Sequence, residues 1–142
     1  MSLTLEQCRT IIAAALAKGG EEGFNPLAVA VLDAGGHLKA FERQDGTSIL
    51  RPQIAHGKAF GALGMGLGSR ALFERAQQQP YFVQAINALA GGALVPVPGG
   101  VLVKDANGSL LGAVGVTGDN SDNDEIAAVA GIEAAGLVAD TG

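Results

Sequence analysis

The sequence predicts an α/β protein of the α+β type, in which helices flank a mostly antiparallel sheet. Two pairs of strands, each joined by a tight glycine-containing turn, lie in residues 27–43 and 99–117; the strand at 38–43 alternates between faces, and the others are apolar. Segments with helical spacing of apolar residues precede, separate and follow the two strand pairs. Because each hairpin makes an antiparallel pair and each helix must bury one face, this order favours helices packed on the faces of a shared sheet.

The composition indicates one domain, residues 1–142, with a core of small side chains. The chain has 142 residues, 22 glycines, no tryptophan and an aromatic fraction of 4%. Close packing of small residues buries a limited apolar area, so we expect a homo-oligomer to supplement it. The net charge of −5 and the lack of any Lys/Arg run predict that nucleic acid is not a partner.

The cysteine content and the apolar runs predict the localisation. The single Cys8 excludes a disulfide within the chain and is typical of a reducing compartment. The apolar run 11–17 is too short to span a bilayer, and it follows Glu6 rather than the basic residues of a signal peptide. We therefore expect a soluble, cytoplasmic protein with no membrane partner.

The first helix is predicted to begin with a capping box. In Thr4-Leu-Glu-Gln7 the Thr and Gln side chains each bind a backbone N–H group. Helical spacing continues to about Lys18, and Gly19-Gly20 is predicted to end the helix. The residues expected on its buried face are Leu5, Cys8, Ile12 and Leu16.

Each strand pair carries an Asp at the start of its turn. Leu27–Leu32 and Leu38–Arg43 flank Asp-Ala-Gly-Gly, whereas Val101–Val103 and Leu110–Val116 flank Asp-Ala-Asn-Gly. The Asn-Gly pair predicts a type I′ turn, in which both central residues take a positive φ. The matching spacing predicts that the two hairpins are built alike.

Leu110–Val116 is predicted to be a central strand of the sheet. It is apolar throughout, which requires cover on both faces. Gly112 and Gly115 weaken it as an isolated strand and predict that another element approaches its backbone closely. The loops that follow the two hairpins, Gln44–Arg51 and Gly118–Ser121, are predicted to lie at the same end.

Proline, capping residues and periodicity predict the remaining helices. Pro52 opens a segment whose helical spacing runs to Leu63, and the glycine-rich residues 61–68 end it. The other predicted elements are a helix from Ser69 to Ala76, a helix from Pro80 to Ala90, an extended edge or connection at Leu94–Pro98, and a helix over Asp122–Leu137 with a capping box of Asp122 and Glu125.

A concentration of basic residues near one loop gives the main functional candidates. Arg and Lys bind carboxylates and the start of a helix adds N–H donors, so this group predicts a site for a small anionic ligand. The alternative is a solvated helix face with surface ion pairs to Glu42 and Asp45. The residues of the predicted site are Arg43, Asp45, Arg51, His56 and Lys58.

Several other site types are not indicated by the sequence. The two histidines and one cysteine have no zinc-site spacing, so no structural metal is expected. Gly64-x-Gly66-x-Gly68 differs from a dinucleotide fingerprint and no strand leads into it, so no nucleotide is expected. No complete set of catalytic groups is visible, which leaves enzymatic activity open.

Ordered motifs run through nearly the whole chain and together resemble one family. They are Val31–Gly46, Ile54–Ala59, Gly99–Asp105, Leu111–Gly118, and Asp124-Glu125 with Ala130-Gly131. They resemble the GlcG/HbpS family, also called the haem-degrading or DUF336 domain, which includes the C-terminal domain of PduO-type proteins. The resemblance implies a profilin-like fold, with a five-stranded antiparallel sheet flanked by helices, and frequent homo-oligomers. It also implies haem or tetrapyrrole binding in some members and haem degradation in others.

The resemblance also assigns roles to residues of this chain. The family's basic helix motif falls on Lys58, its turn histidine falls on His37, and its Arg-x-Asp-Gly motif falls on Arg43, Asp45 and Gly46. Two departures would reshape a pocket wall. Residues 61–68 are richer in glycine than in relatives, and residues 99–103 read Gly-Gly-Val-Leu-Val where relatives carry Gly-Gly-x-Pro-Ile.

Three functions follow as expectations. The first is binding of haem or a related tetrapyrrole, with His37 or His56 on the iron and Arg51 or Lys58 at the propionates. The second is an enzyme or sensor for a small organic (di)carboxylic acid, because some relatives accompany catabolic pathways. In that case Lys58 and the arginines would anchor the carboxylate, and His56 or Asp45 would serve as acid or base. The third is a structural oligomer without a ligand.

Overall fold

The computed structural model describes residues 2–142 and contains one five-stranded sheet with five helices. The strand order is β2-β1-β4-β3-β5, and every neighbouring pair is antiparallel. This confirms the predicted α/β class and its antiparallel sheet. The elements are α1 (Leu5–Glu22), β1 (Ala28–Asp33), β2 (Leu38–Arg43), α2 (Arg51–Met65), α3 (Ser69–Gln78), α4 (Pro80–Leu89), β3 (Gly100–Lys104), β4 (Leu110–Thr117), α5 (Ser121–Ala134) and β5 (Val138–Asp140).

The helices form a layer on each face of the sheet. Alternation along β1 sends Val29 and Val31 into the main core, which α1 and α5 cover. It sends Ala28 and Ala30 to the opposite face, where Ala55 of α2 packs on them. The β4 strand lies between β1 and β3 and is buried along nearly its whole length. The prediction of a central strand covered on both faces is confirmed.

Glycine allows α2 to lie directly on the backbone of the sheet. A Cβ atom at Gly115 of β4 would collide with the carbonyl oxygen of Ala55, and one at Gly100 of β3 would collide with that of Lys58. Gly112 lies on the other face, against Leu3 and the carbonyl of Leu32. The predicted close approach to the backbone of β4 is confirmed.

The two hairpin turns share one geometry, although it differs from the predicted type I′. The carboxylate of Asp33 accepts from the N–H groups of residues 35 and 37, and that of Asp105 accepts from those of residues 107 and 109. Positive φ is confined to Gly36 (84°) and Gly108 (82°) in these turns. Asn107 has a negative φ because the aspartate fixes the preceding turn, and only the last residue is left-handed.

The first helix extends further than predicted. Its capping box of Thr4 and Gln7 is confirmed, but α1 continues through the Gly19-Gly20 pair and ends at Gly23, which has φ 73°. Gly19 is buried, and a Cβ atom there would collide with the side chain of Leu27. The glycine therefore allows Leu27 to pack on the helix. The buried face also differs: Leu5 is exposed, and the buried residues are Cys8, Ile11, Ile12, Ala15 and Gly19.

The N-terminal ends of α3 and α5 also differ from the prediction. The cap of α5 is Asn120, whose side chain accepts from the N–H of Asn123, so Asp122 is not the capping residue. Gly68 precedes α3, while the hydroxyl of Ser69 accepts from the N–H of Gly100 (2.7 Å) instead of capping. Asp122 instead forms an ion pair with Arg70, so in both cases the residue predicted to cap the helix has another partner.

The C-terminal residues form a strand that the residue pattern had not indicated. The last helix ends at Ala134, and Val138–Asp140 pairs with β3 at the edge of the sheet. Leu94–Pro98 is an irregular connection and not a strand. A three-residue strand has too few residues to show alternation, which explains why the pattern missed it. Among residues 2–142, the helices lack the length and apolarity needed to cross a bilayer.

Candidate functional site

A groove opens on the α2 side of the sheet, near the edge strand β2. Its volume is about 550 Å³, which lies in the range of small-molecule sites. The lining is mainly apolar and comes from β1, β2, the first turns of α2, and the loop after α4. The lining residues are Ala30, Leu38, Phe41, Pro52, Gln53, Ile54, His56, Gly91, Gly92, Ala93 and Val95.

His56 is the titratable side chain of this groove. It lies on the second turn of α2, is half-buried, and stacks on Phe60 with ring centroids 5.8 Å apart and an interplanar angle of 17°. Within residues 2–142 its ring nitrogens have no hydrogen-bond partner, so a lone pair is available to an incoming group. The stacking fixes the plane of the imidazole without using either nitrogen.

The start of α2 adds a positive end to the same groove. Leu50 precedes the helix and provides no side-chain cap, and the first turn carries no acidic residue. Pro52, in that turn, lines the groove. The N–H of Arg51 donates to the carbonyl of Ser48 (3.1 Å) and Pro52 has no N–H, so in this turn the N–H of Gln53 is the one left, among residues 2–142, to attract an anion. The groove therefore combines an apolar lining with a helix end that favours negative charge.

Arg51 lies at the first position of α2, next to the groove-lining Pro52. Its Nη1 donates to the hydroxyl of Thr117 at the end of β4 (2.8 Å). This bond joins the start of α2 to the end of β4, where the loop after the second hairpin begins. The ends of β2 and β4 both lie opposite Ala28, which confirms that the loops after the two hairpins share one end of the sheet.

Lys58 is directed away from the groove, into the protein. Its side chain is 2% exposed; the ammonium donates to the carboxylate of Asp124 (3.0 Å) and the carbonyl of Val116 (2.9 Å). Burial lowers the pKa of Lys58 and raises the pKa of Asp124, and each charge partly offsets the other's shift. The predicted ligand role of Lys58 stays a prediction that requires this pair to open.

Asp124 is a residue whose role the sequence did not reveal. It is 1% exposed, and its second oxygen accepts from the N–H of Asp119 (2.9 Å), so both carboxylate oxygens are used. In the sequence it stands among acidic residues at a helix start, where dipole complementation and capping are the expected roles. Its partner Lys58 is far away along the chain, and no local pattern links the two.

Arg43 and Asp45 lie in a different cavity from His56. This second cleft has a volume of about 510 Å³ and is formed by the end of α1, the segment before β1 and the loop after β2. The five predicted site residues thus fall in three places: the groove with His56 and neighbouring Arg51, the second cleft, and the buried pair of Lys58.

His37 lies in the first hairpin turn, where it is 81% exposed. Its Nδ1 is 3.2 Å from the carboxylate of Asp33, whose pKa is lowered first by the N–H of His37 and also by that of Gly35. The adjacent Gly36 lies against Phe60, the residue on which His56 stacks. His37 is therefore near the rim and outside the lining of the groove.

Comparison with known proteins agrees with this architecture. The sequence model of the family described as haem degrading protein HbpS-like matches residues 3–133. The chain belongs to the HbpS-like family. No curated protein sequence gives a match. The family assignment confirms the resemblance that the motifs had indicated.

Solved structures similar to this HbpS-like chain cover nearly all of it. The structure of a PduOC–haem complex has a TM-score of 0.87 and 22% identity, and covers 97% of this chain and 98% of that one. Protein ORFY of Klebsiella pneumoniae, of the DUF336 family, has a TM-score of 0.84, 22% identity, and coverages of 94% and 90%. HbpS has a TM-score of 0.79, 29% identity, and coverages of 94% and 89%.

Proposed function

We propose that this HbpS-like chain binds haem or a related tetrapyrrole in the groove, with His56 as the axial ligand of the iron. The observation that carries the proposal is one imidazole without a protein partner in an otherwise mainly apolar groove. The haem complex of the structurally similar PduOC and the description of the family support the choice of ligand.

The groove residues suit the chemistry of the tetrapyrrole ring. A porphyrin has wide apolar faces and a metal centre that takes one or two axial ligands, most often a histidine nitrogen. Leu38, Phe41 and Val95 offer apolar surface on different walls of the groove, and the His56 nitrogens are not used by the protein. Phe60 holds the imidazole plane by stacking, which reduces the freedom that His56 would lose on binding iron.

The anionic propionates are assigned to the start of α2. In its first turn the N–H of Gln53 has no partner within residues 2–142, and Arg51 at the same helix start carries a guanidinium group. When bound, haem supplies a redox-active iron; the residues of this chain supply the axial nitrogen, the apolar walls and the positive helix end. Arg51 would exchange or share its bond to Thr117 to reach a propionate.

A haemin titration followed by the Soret band tests this proposal. We expect the wild type to shift the band with saturable binding, and His56→Ala to lose the axial-ligand spectrum and bind at least tenfold more weakly. His37→Ala is the matched control, because His37 lies outside the groove lining; we expect it to bind as the wild type does. Absence of any shift, or loss in His37→Ala with retention in His56→Ala, contradicts the assignment.

A further inference from the structure

The second cleft carries opposite charges that the protein itself does not pair. Arg43 and Asp45 both line it. Within residues 2–142, neither side chain makes an ion pair or a hydrogen bond, to the other or to any neighbour. Two unpaired opposite charges in one cavity provide complementary positions for a ligand that itself carries both signs.

The loop that presents these charges is held in place by the backbone of Leu27, the residue before β1. The amide oxygen of Gln44 accepts from the N–H of Leu27 (2.8 Å), and the N–H of Gln44 donates to the carbonyl of Leu27 (2.9 Å). The hydroxyl of Thr47 donates to the carbonyl of Gln44 (3.1 Å). A loop fixed in this way need not be ordered by the ligand, so less binding energy is lost on association.

The opposite wall of the cleft is the C-terminal end of α1. Gly19 and Gly20 line it without side chains, and their carbonyl oxygens accept from the N–H groups of the two residues that follow the helix. No basic residue lies in the last turn of α1, so the negative end of the helix dipole is not offset there. This wall favours a cationic group, as Asp45 does. Phe24 and Pro26 add an apolar surface between the charged walls.

We propose that this cleft binds a small zwitterion of the free α-amino acid type. The carboxylate of the ligand pairs with Arg43, its ammonium group lies towards Asp45 and the end of α1, and its side chain contacts Phe24 and Pro26. A dicarboxylate would place a second negative charge beside Asp45, and a simple amine would leave Arg43 unpaired. The proposal is independent of haem binding in the groove.

Calorimetric titration with free L-amino acids tests the site. For the best binder, the N-acetyl and the carboxamide derivatives are titrated as well, because each removes one charge of the zwitterion. We expect both derivatives to bind at least tenfold more weakly than the free amino acid. Arg43→Gln and Asp45→Asn should each weaken binding of the free amino acid by a similar factor.

Two further variants separate loss of the site from loss of the fold. Gly20→Phe places a side chain in the cleft; a Cβ there meets no atom within 4 Å, so we expect a folded protein that does not bind. Arg9→Gln removes an exposed arginine from the other half of α1 and should bind as the wild type does.

Three results would overturn the zwitterion site: no free amino acid binds, binding survives in Arg43→Gln and Asp45→Asn, or the N-acetyl derivative binds as tightly as the free acid. The same variants are also titrated with haemin. We expect an unchanged Soret shift, since the groove lies elsewhere. Failure of either site is therefore recognised separately from failure of the other.

Discussion

Gly115 allows the start of α2 to touch the central strand, because an added Cβ would meet the carbonyl oxygen of Ala55. A backbone atom cannot move aside as a flexible side chain can. We therefore expect Gly115→Ala to lower the free energy of unfolding by about 1–3 kcal/mol or more. Urea denaturation measures it, from the midpoint and slope of the transition.

Gly64 provides the matched control for that substitution. It lies inside α2, and a Cβ at this position meets nothing within 4 Å. Because alanine restricts the unfolded chain and favours helix, Gly64→Ala should raise the free energy of unfolding by about 0.4–1 kcal/mol. Equal effects of the two substitutions would contradict the account of close packing at Gly115.

The stability of the protein depends on pH through Asp140, and the sign of this dependence follows from the shift in the pKa of Asp140. The ammonium of Lys104 donates to its carboxylate (2.6 Å) and holds the pKa of Asp140 below its usual value. The stabilisation is then fully present above the ordinary pKa of about 4 and is lost as the pH falls through the lowered folded-state pKa. Because both side chains are about one-third exposed, we expect the Lys104–Asp140 pair to add at most about 1 kcal/mol to the free energy of unfolding.

Urea denaturation of the wild type and Asp140→Asn at a series of pH values checks this prediction. The wild type should be the more stable at neutral pH, and the difference should narrow as the pH falls below about 4. A difference that grows in acid would contradict the assigned direction of the pKa shift.

At the scale of elements, the Lys58–Asp124 ion pair joins α2 to the start of α5 across the buried end of β4. Removing one partner leaves a buried charge without compensation. We expect Lys58→Met and Asp124→Asn each to lower the free energy of unfolding by about 3–5 kcal/mol. The double variant removes both charges and should be more stable than either single variant.

A double-mutant cycle by urea denaturation measures that coupling. Asn retains an oxygen that accepts from the N–H of Asp119, so the comparison isolates the loss of charge. Two results would contradict the view that these groups stabilise each other's charge. One is that each single variant lowers the free energy of unfolding by less than about 1 kcal/mol, and the other is that the double variant is less stable than both single variants.

Local patterns predicted the elements they build and missed the contacts between them. The capping box of Thr4 and Gln7 and the apolar run of β4 are short-range features, and the structure confirms both. The role of Asp124 depends on a lysine 66 positions away, and no local pattern contains that information. The prediction of a type I′ turn at Asn107 was wrong, because the carboxylate of Asp105 decides the backbone conformation of this turn.

The candidate site was predictable in part for the same reason. Proximity along the chain put His56 and Lys58 in one predicted cluster. Residues two positions apart lie on different faces of a helix, so one reaches the groove and the other the buried carboxylate. The groove wall after α4, residues 91–95, carries no chemical pattern, and only the fold brings it to α2.

At the scale of the whole molecule, we expect the chain to self-associate. Several large apolar side chains are open to solvent, including Ile49 and Leu89, each 85% exposed. Contiguous apolar patches favour association with another chain, so these side chains are the candidates for an interface. Light scattering over a range of concentrations tests the expectation, and Ile49→Asp with Leu89→Asp should shift the mass towards the monomer. A wild type that is monomeric throughout would contradict it.

Binding of a small organic acid, the alternative to haem binding, gives Lys58 a different role. It assigns Lys58, together with the arginines, to anchor the carboxylate, whereas the ammonium group of Lys58 already contacts Asp124. Thermal-shift screening against dicarboxylates tests it, because a ligand at 100 times its Kd adds about 2.7 kcal/mol to stability. Stabilisation that is absent, or that persists in Lys58→Met, would argue against this alternative.

The central proposal is that the His56 imidazole binds the iron of a haem held in the groove. Its most direct test is the absorption spectrum of the haem-loaded His56→Ala variant with and without added imidazole. We expect the variant to lose the wild-type Soret band, and free imidazole, entering the space left by the side chain, to restore it. A wild-type spectrum in His56→Ala without imidazole, or no effect of imidazole on an altered one, would contradict it.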